Sequence, residues 1–300
     1  MTVVESTRRI LLTGATGYVG GRLLDALLEN EHDVRCLARN AAALADRGIE
    51  TVEGDIRDRA TVDRALAGVD VAYYLVHSLG SGGDFADEER DGAETFAAAA
   101  LAAAVGRVVY LGGLARGDDL SDHFTSRHEV GRILRESGVP TIEFRASVVI
   151  GAGSASFDLV RTLVERLPAL VLPDWIDTHA QPIAIDDVVA YLVAAGVAPM
   201  DGSAVYEIGG ADRITYRELI QETSNALGLQ TPIVTLPALL PIPSVASLPE
   251  VLTDALPDRA IVWSKLAESL RYDSSVEDDT ALRAFDVTPI GAREAVRAAV

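Results

Sequence analysis

Lysine is almost absent from this sequence: Lys265 stands alone, and arginine makes up the rest of the 26 cationic side chains, against 45 Asp and Glu. With a formal charge of −19, the chain lacks the clustered cations that release counterions from a phosphate backbone, so no nucleic-acid partner is expected. An anionic membrane surface is disfavoured on the same ground. Cysteine is limited to Cys36, which excludes a disulfide within the chain. Its place in the apolar run Val34-Arg-Cys-Leu-Ala38 makes it a small core residue rather than a reactive thiol. The 5 histidines are scattered, and no group of His, Cys and Asp recurs at metal-ligand spacing. Neither a Gly-x-Ser-x-Gly elbow nor a phosphate-loop lysine motif occurs. The opening Met1-Thr-Val-Val-Glu-Ser has no basic region followed by an apolar run, so no secretory signal is expected. The most apolar late stretch, 236–256, is broken by Pro237, Pro241, Pro243 and Pro249, which excludes an ordinary spanning helix and any expectation of membrane insertion. A cytoplasmic protein is the expectation. The acidic, lysine-poor composition resembles the halophilic composition of salt-loving microbes, in which carboxylates keep the surface hydrated.

What is present suits an α/β protein. At 49% hydrophobic content, 300 residues suffice for one large domain or for a nucleotide domain with a smaller lobe. Short β-type runs alternate with helical patterns through the first half, the signature of a Rossmann-type, doubly wound parallel sheet with helices on both faces. The patterns predict strands at 9–13, 33–38, 50–53, 69–76, 107–111 and 141–145, and helices at 18–30, 61–67, 88–105 and 121–137. The alanine-rich 97–104 belongs to the third helix, alanine being the best helix former. From 151 onward Pro168, Pro173 and Pro182 punctuate short apolar pieces. The division expected is a dinucleotide-binding core over 1–150 and a C-terminal lobe over 151–300. That lobe returns partly to the core sheet through 183–185 and 205–208 and forms the substrate cleft.

The strongest motif is Gly14-Ala-Thr16-Gly17-Tyr18-Val19-Gly20. Gly14 permits a tight turn after a strand, Gly17 lets backbone approach a pyrophosphate, and Gly20 lets the helix pack closely. The helix N-terminus offers unpaired N–H groups to the phosphates. Three glycines at this spacing carry weight because they follow a strand and open an amphipathic helix. The second strand ends in Val34-Arg-Cys-Leu-Ala-Arg39, without the carboxylate that an NAD site places there for the ribose. A guanidinium at Arg39 suits a 2′-phosphate, which favours NADP, with NAD as the alternative; a solvated arginine is the plainer reading. After the third strand, Gly54-Asp55-Ile56 leaves two roles open for Asp55: a contact with the adenine amino group, or a cap on the following turn.

Together with Glu53-Gly-Asp-Ile-Arg-Asp58, Pro182-Ile-Ala-Ile-Asp-Asp-Val188 and Tyr206-Glu-Ile-Gly-Gly210, these segments resemble the short-chain dehydrogenase/reductase superfamily. The similarity is to its extended, atypical branch, near the NmrA-like proteins and nucleotide-sugar epimerases. Active dehydrogenases of that superfamily carry Tyr-x-x-x-Lys on the helix after the fifth strand. This chain has no such pair: alignment on Leu134-Arg-Glu-Ser-Gly138 puts His123 and Arg127 at those positions, and Leu111-Gly-Gly113 stands where a serine is expected. Four-residue spacing puts His123 and Arg127 on one helix face, so a histidine acid beside a cation is possible, as is a pair of ordinary polar residues. His128 and Glu129 fall on neighbouring faces and read as surface groups.

His77 and Ser78 follow the fourth strand, where the nicotinamide end should pass. Arg145 ends the sixth strand, open either to an anionic ligand or to an ion pair with a carboxylate of the second lobe. Trp175, His179 and Gln181 lie in the loop expected to cover the cleft, Trp175 as core packing or as substrate platform. Two functions fit: an NADPH-dependent oxidoreductase acting on a small carbonyl or sugar-like substrate, and a catalytically silent NADP(H)-binding redox sensor or respiratory accessory subunit. The residues name no oligomeric state or protein partner.

Overall fold

The structure, a computed structural model, describes residues 8–77, 85–117, 119–236 and 269–300, with backbone only at 171, 173–175 and 236. Ser78 and the side chain of Trp175 therefore lie outside the described residues. Three strands, β1 (Arg9–Thr13), β2 (Asp33–Ala38) and β3 (Glu50–Glu53), step outward to one side of the sheet. Three more, β4 (Val71–Tyr74), β5 (Arg107–Gly113) and β6 (Thr141–Ala146), step outward to the other. Shorter pairs follow in the second half: β7 (Val149–Ile150) with β10 (Ile183–Ala184), β8 (Leu170–Pro173) with β13 (Ile233–Leu236), and β9 (His179–Ala180) with β12 (Ile214–Thr215). β11 (Ala204–Ile208) joins β6 to complete a parallel sheet of seven strands, ordered β11-β6-β5-β4-β1-β2-β3.

The direction of winding reverses between β1 and β4, and the crevice beyond the carboxyl ends of those strands is where such sheets take ligands. On one face α1 (Tyr18–Glu29) packs Leu23, Leu24 and Leu27 with Val188, Tyr191 and Leu192 of α6 (Ile185–Val197) over Ile10, Leu12 and Cys36. On the other, α2 (Arg59–Leu66), α3 (Phe85–Ala102) and α4 (Asp122–Glu136) cover Leu11, Leu37, Tyr74 and Tyr110. A separate apolar cluster joins α5 (Ala155–Arg166), α7 (Tyr216–Ala226) and the helix Ala292–Ala299 through Phe157, Leu163, Tyr216 and Val296. Among the described residues no helix is long and apolar enough to cross a membrane.

Three expectations from the sequence need correction. Ile183–Ala184 extends β7 rather than the main sheet, because the outer edge of β6 is already taken by β11. β4 ends at Tyr74 rather than at 76, since Gly14 turns away with φ +74° and the Thr13 hydroxyl replaces the ladder. That hydroxyl accepts from Leu75 N at 3.1 Å and donates to the Tyr73 carbonyl at 3.0 Å. α3 closes at Ala102 rather than at 105, with Ala104 in the left-handed region at φ +53°.

Candidate functional site

The phosphate loop is shaped by what it cannot hold. A Cβ on Gly14 would sit 2.5 Å from the Leu75 carbonyl oxygen, and one on Gly20 would collide with the Gly14 carbonyl. Both glycines therefore let backbone pass backbone. Gly20 relieves contact with the loop's own turn rather than with the sheet. Among the described residues, a Cβ on Gly17 would meet only the Gly14 oxygen, at 3.2 Å, and the residue is exposed where the loop faces the cleft. Gly17 N donates to Gly14 O at 2.9 Å, and Gly17 opens α1 without a side-chain cap, so the first N–H groups of the helix point at the cleft. This cradle fits a pyrophosphate.

The cleft, about 500 Å³, runs from this loop across the sheet. Gly14, Thr16, Gly17, Tyr18, Val19 and Gly20 form one wall. Arg39, Asp55, Ile56 and Arg57 stand at one end, and His77, Glu89, Leu111 and Arg127 at the other. Arg39 is exposed and makes no ion pair among the described residues. Asp55 is engaged: its Oδ1 accepts from Arg57 N at 2.9 Å and from Arg57 Nε at 3.0 Å, which caps the turn. Hydrogen bonding from Arg57 holds the Asp55 carboxyl below its ordinary value against the opposing pull of burial.

A second cleft of about 210 Å³ opens off the first and shares His77, Leu111 and Arg127 with it. Its lining is mainly apolar, with Leu114, Phe124, Val148, Leu159 and Leu270, and His123 projects from α4 into it. The His123 ring lies 5.0 Å from that of His77, centroid to centroid.

His123 and Arg127 do share a helix face, but Arg127 is buried. Its guanidinium donates to the carbonyls of Val76, at 3.3 Å, and Leu111, tying the segment that follows β4 to β5. It is neither a solvated residue nor shaped as a mobile cation. Of the residues read as surface groups, Glu129 pairs with Arg90 at 2.9 Å. His128 is half-buried 3.3 Å from the Gly113 carbonyl, and burial pushes its pKa down.

Arg145, His179 and Gln181 do not line either cleft. Arg145 pairs with Glu143 of its own strand at 2.8 Å. Gln181 clamps main chain, donating to Gly210 O at 2.7 Å and accepting from Val276 N at 3.1 Å. His179 is exposed on β9, opposite Thr215.

The sequence reading missed Glu89. It sits inside the charged run Asp87-Glu88-Glu89-Arg90, which reads as a solvated helix start. Yet it is 5% exposed, and its carboxylate bridges His77 Nδ1 at 2.7 Å and the Ser126 hydroxyl at 2.5 Å. Burial alone would raise its pKa, but hydrogen bonding and charge from His77, with Arg127 and Ser126, lower it from 4.5 to about 2. One signal was available: Glu89, Gly92, Ala93, Phe96, Ala97 and Ala100 recur at helical spacing, placing Glu89 on the apolar stripe.

Residues 6–240 match the NmrA-like family. The chain belongs to the NmrA-like family. Among relatives of this NmrA-like protein is the (4-alkanoyl-5-oxo-2,5-dihydrofuran-3-yl)methyl phosphate reductase of Streptomyces griseus, 34% identical over 233 residues, or 73% of this chain and 74% of the relative. Citrobacter sp. triphenylmethane reductase, whose crystal structure holds NADP(H), superposes with a TM-score of 0.74 at 17% identity, covering 97% of this chain and 100% of that one. The UDP-glucuronic acid 4-epimerase of Bacillus cereus, in complex with NAD, superposes with a TM-score of 0.71 at 16% identity, covering 97% of each chain. These NmrA-like and epimerase-like folds agree with the extended-branch resemblance read from the motifs.

Proposed function

We propose that the chain is an NADP(H)-dependent reductase acting on a small carbonyl compound with an apolar body. The second cleft carries this reading. A cofactor sensor needs only the phosphate cradle, whereas an apolar pocket opening onto His77, Leu111 and Arg127 gives a substrate a seat beside the dinucleotide cleft. In this reading the loop from Gly14 to Gly20 and the start of α1 hold the pyrophosphate, and Arg39, with Arg57 nearby, takes the 2′-phosphate. Asp55 and Ile56 flank the adenine, while His77 borders the nicotinamide end. Bound NADPH supplies the hydride. The mainly apolar lining favours a carbonyl compound over a sugar. The reductase activity named for the Streptomyces griseus relative and the NADP(H) held by the Citrobacter enzyme support the same direction. The NAD of the Bacillus cereus epimerase keeps NAD as the alternative.

The silent, NADP(H)-sensing reading has one observation in its favour: Arg127, at the position of the family lysine, is committed to two main-chain carbonyls. Calorimetric titration with NADPH and NADH, followed by a panel of apolar aldehydes, ketones and unsaturated lactones monitored by reduced-nicotinamide absorbance, separates the two. Tight NADPH binding with turnover is the expected result. Tight binding with no turnover on any member of the panel would reject the reductase reading in favour of the sensor.

A further inference from the structure

Between the two clefts a carboxylate, an imidazole and a hydroxyl form a connected set. Glu89 is buried and accepts from the Ser126 hydroxyl at one oxygen, while its other oxygen lies 2.7 Å from His77 Nδ1. α3 reaches this position because Gly92 allows it: a Cβ there would meet Ile56 Cγ2 at 3.0 Å and the Tyr74 hydroxyl at 3.2 Å. His77 lines both clefts and its side chain is 25% exposed, whereas His123 lines only the apolar one. A carboxylate on Nδ1 fixes the ring's orientation and directs acid–base chemistry to Nε2.

We propose that His77 is the proton donor of the reduction, with Glu89 as its positioning residue and Ser126 as the anchor of Glu89. This rests on the reductase reading above and replaces His123 in the donor role. When a carbonyl carbon accepts the hydride, the C=O π pair moves onto oxygen. That oxygen takes the Nε2 proton of the His77 imidazolium, the N–H bond breaks, and an alcohol and a neutral imidazole result. The nicotinamide leaves oxidised, and the partly exposed ring regains its proton from water. Among the described residues, the charged and titratable groups facing His77 are Glu89 and Glu88 from α3, and His123 and Arg127 from α4. The buried Glu89 carboxylate favours the imidazolium; Arg127 opposes it and is drawn toward the Val76 and Leu111 carbonyls.

The test begins without cofactor or substrate. In protein labelled with ¹³C,¹⁵N-histidine, the His77 resonance, identified by its loss in His77→Asn, is followed through a pH titration. Glu89→Gln should lower its midpoint by about one unit or more, and Ser126→Ala by less, through a less well-held carboxylate. In turnover at saturating NADPH, His77→Asn should lower kcat by about a hundredfold or more. His123→Gln should cost much less. Glu89→Gln should move the alkaline fall of kcat/KM to lower pH, a change that mere loosening of the fold does not produce. If Glu89→Gln does not fold, Glu89→Asp and Ser126→Ala carry the same readouts. An unmoved His77 midpoint, or full kcat in His77→Asn, would overturn the donor assignment and leave the reductase reading standing. The expected midpoint shift in a protein that turns over no carbonyl would overturn both.

Discussion

The Tyr110 hydroxyl donates to the main-chain carbonyl of Arg127 at 2.9 Å, while the Arg127 guanidinium lies 4.8 Å above the Tyr110 ring. The two residues hold each other across the floor of the cleft, and through Arg127 they hold the segment after β4 to β5. Arg127→Ala should remove this brace and leave the Val76 and Leu111 carbonyls short of a donor, at a cost of roughly 2–4 kcal/mol. Denaturant unfolding measures it. Because His77 follows Val76 directly, NADPH affinity should fall as well, and Arg127→Lys should recover little, since an ammonium lacks the fork that reaches both carbonyls.

NADPH should bind more tightly than NADH, with most of the difference lost in Arg39→Ala. One charge-assisted contact to a phosphate is worth on the order of 1.5–3 kcal/mol, or roughly tenfold to more than a hundredfold in affinity. Paired calorimetric titrations check both claims, and a wild type that prefers NADH would exclude Arg39 as the 2′-phosphate ligand.

Two of the loop glycines should separate by variant. Gly20→Ala drives a methyl group into the Gly14 carbonyl and should cost about 1–3 kcal/mol of stability. Gly17→Val extends into open cleft from an extended backbone (φ −84°, ψ 170°), so the protein should stay folded while losing dinucleotide binding. Thermal unfolding with and without NADPH distinguishes the two outcomes.

Glu89 should also leave its mark on acid stability. Its pKa in the folded protein is depressed from 4.5 to about 2, so its stabilising contribution is present above the higher value and is lost as pH falls through the lower one. That contribution is on the order of 3 kcal/mol. In Glu89→Gln the extra loss of stability between about pH 5 and pH 2 should be missing. Urea unfolding of both proteins across that window measures the difference.

Most of the sheet and the phosphate loop are legible in the sequence because local rules decide them. Leu23, Leu24 and Leu27 phase α1, and Gly14, Gly17 and Gly20 sit where strand meets helix. The ends of β4 and the pairing of Ile183–Ala184 are not local matters. They depend on the Thr13 hydroxyl and on β11 having already occupied the edge of β6. The same holds at the site. His77 and His123 can be named from their places after a strand and on a helix, but only the packing of α3 against Tyr74, through Gly92, turns Glu89 from an apparent surface charge into a buried partner.

The seventh strand has a consequence for how the chain is made. β11 pairs with β6 from Ala204↔Ile142 to Ile208↔Ala146, so the ribosome must extrude α5, the β8 and β9 segments and α6 before the outer edge of β6 acquires its neighbour. Until then the nascent chain carries an open strand edge with Glu143 at its middle, its main-chain groups a template for intermolecular pairing. A halt in translation between 151 and 203 thus leaves six of the seven strands made and the edge of β6 unpaired, and the strand order sets how long that edge stays open.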